Sequence, residues 1–213
     1  MATSYTSIPN GDIDPDSPIT TGLMTLLRDN PIAITEGASG APSVARAALE
    51  AGTKTWVLLQ ETDASNDSSI DFTSVIDSTY DEYIFLVSGL VAATGGASLR
   101  ARFSNDNGST FKSGATDYRT GGTYYTYILI ADNIHSTSSI GGVSGELRLI
   151  DPSNASKDVK LRSIAHQWDA SGIEKIATRS GIFSASLVVN AIRLIMSSGN
   201  IYSGNFKLYG IMK

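Results

Sequence analysis

The chain has 213 residues, of which 41% are apolar and only 17% charged, with 16 basic against 21 acidic side chains and no cysteine. That length carries one domain with a sizeable core, or a domain plus an arm. The absence of any Lys/Arg run argues against nucleic-acid binding through the phosphate backbone, and the absence of cysteine excludes a disulfide framework and thiolate chemistry.

Residues 1–10 contain no basic region followed by an apolar run, so no signal peptide is expected. Apolar runs such as those at 182–183 and 187–189 are far too short to cross a bilayer. Residues 1–18 read as irregular, punctuated by Pro9, Gly11, Pro15 and Pro18. Asp12, Asp14 and Asp16 alternate there, but without the glycine and terminal Glu of a calcium loop, so the reading is a solvated or partner-laid segment without metal. Residues 19–30 predict a short helix capped by Thr20 or Thr21, with Leu23, Leu26 and Leu27 on one face and a stop at Asn30–Pro31. Residues 31–42 are small and extended. The helix formers from Ala45 to Ala51 predict a second short helix, stopped by Gly52. Residues 1–52 therefore form an N-terminal arm with two short helices, and 53–213 a separate domain.

From Thr53 the hydrophobic period changes to 2. Trp56 and Leu58 oppose Val57 and Leu59, residues 63–69 read as a polar turn, and Tyr83, Phe85 and Val87 mark a largely buried strand followed by a loop at 89–96. The cleanest alternation places Leu99, Ala101 and Phe103 on one face and Arg100 and Arg102 on the other, a half-solvated antiparallel strand. A short partner strand is expected around Thr110–Lys112. Further strands follow at 124–131, at Leu147 and Leu149, and from Val159 to Trp168, where a parity change calls for either a β-bulge near Ser163 or a second apolar face. The last three are expected at Phe183–Val189, Ile192–Met196 and Phe206–Ile211. Roughly eight to ten strands at this spacing, without strand–helix–strand units, predict an all-β antiparallel sandwich.

No constellation for chemistry stands out. His135 and His166 lack a third ligand for zinc, and no serine sits in a G-x-S-x-G elbow. Among the carboxylates, Asp81, Glu82, Glu146 and Asp151 are candidates for glycoside hydrolysis, but the acidic residues of this chain supply such pairs by chance. The expectation is a non-enzymatic protein without cofactor. Gly95–Gly96, Gly121–Gly122 and Gly141–Gly142 read as turns between strands. Ser104, Asp106, Gly108, Thr110 and Phe111 resemble the Asp-box turn, S-x-D-x-G-x-T-W, with Phe in place of Trp. In sialidases and other propellers that turn is structural, so Asp106 and Gly108 are expected to build a tight turn. Tyr118, Tyr124 and Tyr202 are candidate surface contacts for protein or glycan, since tyrosine suits interfaces and stacks on sugars.

Two stretches carry a wider resemblance. Residues 16–24 and 28–42 form the first, and residues 56–58, 80–83, 102–106, 192–201 and 204–211 the second. Both resemble accessory virion proteins of tailed bacteriophages, of the fibre, spike-base or adaptor kind. The resemblance implies a jelly-roll-like sandwich, a place on the virion, and docking of the first stretch to other virion proteins, with Ile19, Leu23, Leu26, Asn30, Pro31, Ile34 and Pro42 as its contacts. It does not separate head from tail attachment, and a host-surface glycan remains a candidate ligand, either bound or degraded. Without heptads or shaft repeats, a compact component fits better than a long fibre. Apolar residues on both parities at Trp56/Val57, Tyr124/Tyr125 and Tyr209/Ile211 call for a second cover, from further copies or from the arm. The resemblance favours a trimer.

Overall fold

Alternation of apolar and polar side chains carries most of the chain beyond residue 55 into strands. The computed structural model describes residues 5–9, 16, 18–35, 38, 41, 56–136, 142–184 and 187–211. The chain divides into two compact units, Met1–Thr53 and Lys54–Lys213.

The first unit contains helix α1 (Thr21–Thr35). Thr20 caps it, its Oγ1 accepting from the Leu23 N–H at 3.2 Å. The expected stop at Asn30–Pro31 does not occur, and Pro31 lies inside the helix. Proline forfeits one backbone hydrogen bond, but flanking contacts hold the segment helical. The Asn30 side chain accepts from the Thr6 N–H at 3.2 Å and donates to the Thr6 carbonyl at 2.8 Å. Beyond the helix end, the Ala38 N–H donates to the Ala33 carbonyl at 2.9 Å. The second helix expected at 43–51 falls outside the described residues.

Among the described residues, the second unit holds twelve strands: β1 (Trp56–Asp67), β2 (Ser69–Thr73), β3 (Glu82–Ala92), β4 (Ala97–Ser104), β5 (Tyr118–Thr120), β6 (Thr123–Tyr125), β7 (Ile128–Ile134), β8 (Val143–Ile150), β9 (Val159–Trp168), β10 (Glu174–Phe183), β11 (Ala191–Met196) and β12 (Ile201–Ile211). They form an eight-stranded sheet, β1-β12-β3-β8-β9-β10-β5-β6, and a four-stranded sheet, β2-β11-β4-β7. All pairings are antiparallel. Without β5–β6 and β9–β10, the remaining strands pair first with last and inward from there: β1 with β12, β2 with β11, β3 with β8, β4 with β7. That is one long antiparallel ribbon rolled into two sheets, the jelly roll. The four extra strands widen its larger sheet.

The core lies between the sheets. Phe72 of β2 meets Phe85 of β3 edge-on at 5.2 Å, and Phe103 of β4 meets Phe183 of β10 at 5.7 Å and 89°. All four are fully buried, and each such ring stabilises the fold by about 2–3 kcal/mol through burial alone.

Several local expectations need correction. Strand β1 does not turn at 63 but continues to Asp67, because its polar end gains a ladder with β12. There the Asn205 Nδ2 donates to both Glu61 and Asp63 at 2.8 Å. Strand β3 continues through Gly89, whose φ of +60° absorbs a register irregularity against β8. No strand forms at 110–112; only the Lys112 N–H reaches β4, donating to the Phe103 carbonyl at 2.9 Å. Residues 124–131 are split between β6 and β7. Phe183 ends β10 rather than opening a strand, and residues 187–190 lie outside any strand. The register of β9 runs unbroken through Ser163, so the parity change there reflects an outward apolar face. A bulge occurs instead in β1, between Leu58 and Gln60.

Candidate functional site

The Ser104–Phe111 segment folds as its side chains dictate. Asp106 Oδ1 accepts from the Thr110 N–H at 2.9 Å and from the Ser104 hydroxyl at 2.5 Å, while Oδ2 accepts from the Thr110 hydroxyl. Ser104 Oγ accepts from the Gly108 N–H at 3.0 Å. These donors, Ser104 first and Thr110 next, pull the Asp106 carboxyl down to about 2. Gly108 has φ +87°, a left-handed conformation natural to glycine. Asp106 and Gly108 thus form a self-satisfied turn. The turn is also anchored: the Asn107 N–H donates to Asn190 Oδ1 and its Nδ2 to the Ser74 hydroxyl, both at 2.8 Å.

The three tyrosines divide. Tyr118 is fully buried and is no surface contact. Its place at the start of β5 puts it on the inward parity, with its ring 5.4 Å from Phe183. Burial raises its hydroxyl well above the ordinary tyrosine range. Tyr124 and Tyr202 are 49% and 56% exposed. Tyr202 lies on β12, whereas Tyr124 ends a row across five strands. Ile150 of β8 pairs with Lys160 of β9, Lys160 with Ile182 of β10, Ile182 with Arg119 of β5, and Arg119 with Tyr124 of β6. These residues share the outward parity of the larger sheet. Beside the row, Arg162 pairs with Ser180. The β5–β6 hairpin closes through Gly121 and Gly122, both at positive φ (56° and 87°), as a two-residue turn of the primed type requires. Strands and hairpin together enclose a groove of about 570 Å³. Tyr124, one strand beyond the groove's lining, is legible in the sequence; the groove's cations are not, because they meet only through ladder register.

On α1, Ile19 precedes the helix and is 80% exposed; Leu23, Leu26 and Ile34 are half-buried, and Pro31 is exposed. Asn30 is buried, its amide occupied by Thr6, and Pro42 lies outside the described residues. Met24 and Leu27, more than half exposed and three residues apart, present apolar surface that the docking set omits.

Two further groupings bear on chemistry. His166 Nε2 lies 2.8 Å from Glu174 Oε1 on the exposed face of β9–β10. Asp81 and Asp151 line one pocket of about 280 Å³. Lys157 and Lys160 stand 3.9 and 3.8 Å from Asp151. Glu82 is held by Arg148 at 3.1 Å, and Glu146 stands opposite Ile164 on the outward face. Among the described residues, no group of three or more His, Cys, Asp or Glu is placed to hold a metal ion, and no helix is long and apolar enough to cross a membrane. No protein-family model and no curated protein matches the chain.

Proposed function

We propose that the chain is a non-enzymatic structural component of a virion, carried on head or tail as a compact spike, base or adaptor module. The jelly-roll strand order carries this reading, since that ribbon is the common architecture of capsid and lectin domains. The separate Met1–Thr53 unit supports a docking role for the N-terminal segment, with Ile19, Met24 and Leu27 exposing apolar surface for other virion proteins. Half-exposed Trp56 and Leu58 on the outward face of β1 support a homo-oligomer, and the phage resemblance favours three copies.

The test compares the full chain with the 54–213 fragment, each produced in cells making the particle and deprived of the native copy. Full chain in purified particles, with the fragment folded but absent from them, is the expected result. Equal incorporation of the fragment would remove the docking role, and absence of both from particles would remove the virion reading.

A further inference from the structure

We propose that the groove between β8–β9–β10 and the β5–β6 hairpin binds an anionic saccharide, with Arg119, Lys160 and Arg162 taking its carboxylates and Tyr124 stacking on a sugar ring. In this chain acids outnumber bases by five, 21 against 16, and most basic groups elsewhere are neutralised. Arg28 pairs with Asp29, Arg148 with Glu82, Arg179 with Asp132 and Arg193 with Asp71. Arg100 and Arg102 also lack a carboxylate, but the first lies over the Tyr127 ring and the second donates to the Thr126 carbonyl; the groove gathers Arg119, Lys160 and Arg162 together. Among the described residues, no carboxylate lines it and neither Arg119 nor Arg162 has an ion-pair partner. Lys160 reaches Asp151 only at 3.8 Å and stays half exposed. Cations gathered this way repel one another until an anion enters from outside.

The kind of anion follows from what lies between them. Along the row, cationic and apolar side chains alternate: Ile150, Lys160, Ile182, Arg119, then the exposed ring of Tyr124. Neighbouring strands stand about 4.8 Å apart, so charge and apolar surface alternate on the scale of a sugar ring. A free phosphate has no use for the isoleucines or the tyrosine. An acidic saccharide has both parts, C–H faces for Ile182 and Tyr124 and planar carboxylates for the arginine forks. The volume of about 570 Å³ is that of a small-ligand site. The net negative charge outside the groove disfavours a long polyanion such as nucleic acid. A groove so built binds its ligand whether or not the chain rides on a virion, so its failure and that of the virion reading are separate.

The test is calorimetry on the full chain with tetragalacturonate, its methyl ester and inorganic tripolyphosphate. Binding of tetragalacturonate that weakens with salt, and about ten-fold or more weaker binding of the uncharged ester, is the expected result. Arg119→Gln and Arg162→Gln each lower affinity about ten-fold, and Tyr124→Ala roughly three- to ten-fold, with unchanged circular dichroism. No binding of tetragalacturonate or of a hyaluronan hexamer at millimolar concentration overturns the proposal. So does equal binding of the ester. Tight tripolyphosphate binding, with saccharide affinity indifferent to Tyr124→Ala, would reduce the groove to a phosphate-type anion patch and overturn it as well.

Discussion

Tyr118 covers the side of β4 that β7 leaves open at Phe103, while β11 still pairs with its other side. Strand β4 pairs with β7 only as far as Ala101 opposite Ile128. Two residues on, the Phe103 N–H donates to the Tyr118 hydroxyl at 2.7 Å, and that hydroxyl donates to the Lys112 carbonyl at 3.1 Å. The two rings also pack edge-on at 5.8 Å. A side chain from the hairpin that widens the larger sheet thus satisfies a backbone donor of the smaller one. Tyr118→Phe keeps the ring but strands a buried N–H. It is expected to lower unfolding free energy by about 1–3 kcal/mol, seen as a lower urea midpoint at unchanged slope. An unchanged midpoint would mean that this hydroxyl is dispensable.

The Asp106 turn gives an acid dependence with a defined sign. Its carboxyl sits at about 2 in the folded chain, against roughly 3.9 when unfolded. A depressed folded value contributes stability that is fully present above the unfolded value and lost as pH falls through the folded one. The Thr110 amide, which donates to Asp106, should therefore lose hydrogen-exchange protection between about pH 4 and pH 2. Asp106→Asn should weaken protection at neutral pH and abolish that acid step. A variant keeping the same acid step would assign it to another carboxylate.

The jelly roll is legible where one face of a strand is buried and the other wet. Leu99, Ala101 and Phe103 alternate with arginines because β4 stands between a core and solvent. Strand β10 hides for the opposite reason. Ile176 is 73% exposed on the same parity as Thr178 and Ser180, so no inward face emerges from the pattern. The ladder with β9, not local alternation, makes that segment a strand. The bulge at Leu58 is silent because Val57 and Leu59 stay on the inward side across it, while Gln60 changes face. Tyr118 and Tyr124 look alike in sequence, yet their opposite parities on one hairpin send the first into the core and the second outward. The groove spans residues 119–182, and its cations come together only through pairings that no short segment encodes.

Arg193 fastens the short edge strand β2 to β11. Its Nε and Nη2 donate to the two Asp71 oxygens at 2.8 and 2.6 Å, and its guanidinium lies 4.1 Å from the centre of the Phe111 ring. Both charged side chains are about one-third exposed, so solvent screens part of the pair. Asp71→Asn should cost about 0.5–1.5 kcal/mol. Because Phe111 shares the guanidinium, Phe111→Ala and Asp71→Asn should not add; a double-mutant cycle reads the coupling. Strict additivity would show that ring and carboxylate act independently.

The outward face of β1 tests the homo-oligomer. Trp56 and Leu58 are each 44% exposed, and Trp56 packs its ring 5.8 Å from that of Tyr209 on β12. Strand β1 stands at the edge of the larger sheet, where an uncovered apolar stripe invites pairing with another chain. Farther along, exposed Glu61 and Asp63 replace that stripe with charge, so the proposed association is expected at the Trp56 end. Placing a carboxylate among contacts between copies costs far more than placing one in water. Trp56→Glu and Leu58→Glu should therefore lower the mass measured by light scattering to that of a single chain and leave the β-sheet circular dichroism unchanged. Native mass spectrometry of the unaltered chain fixes the copy number, for which three is expected. A monomer at high micromolar concentration would sink self-association in solution, and variants that keep the parent's mass would place the contact elsewhere on the molecule.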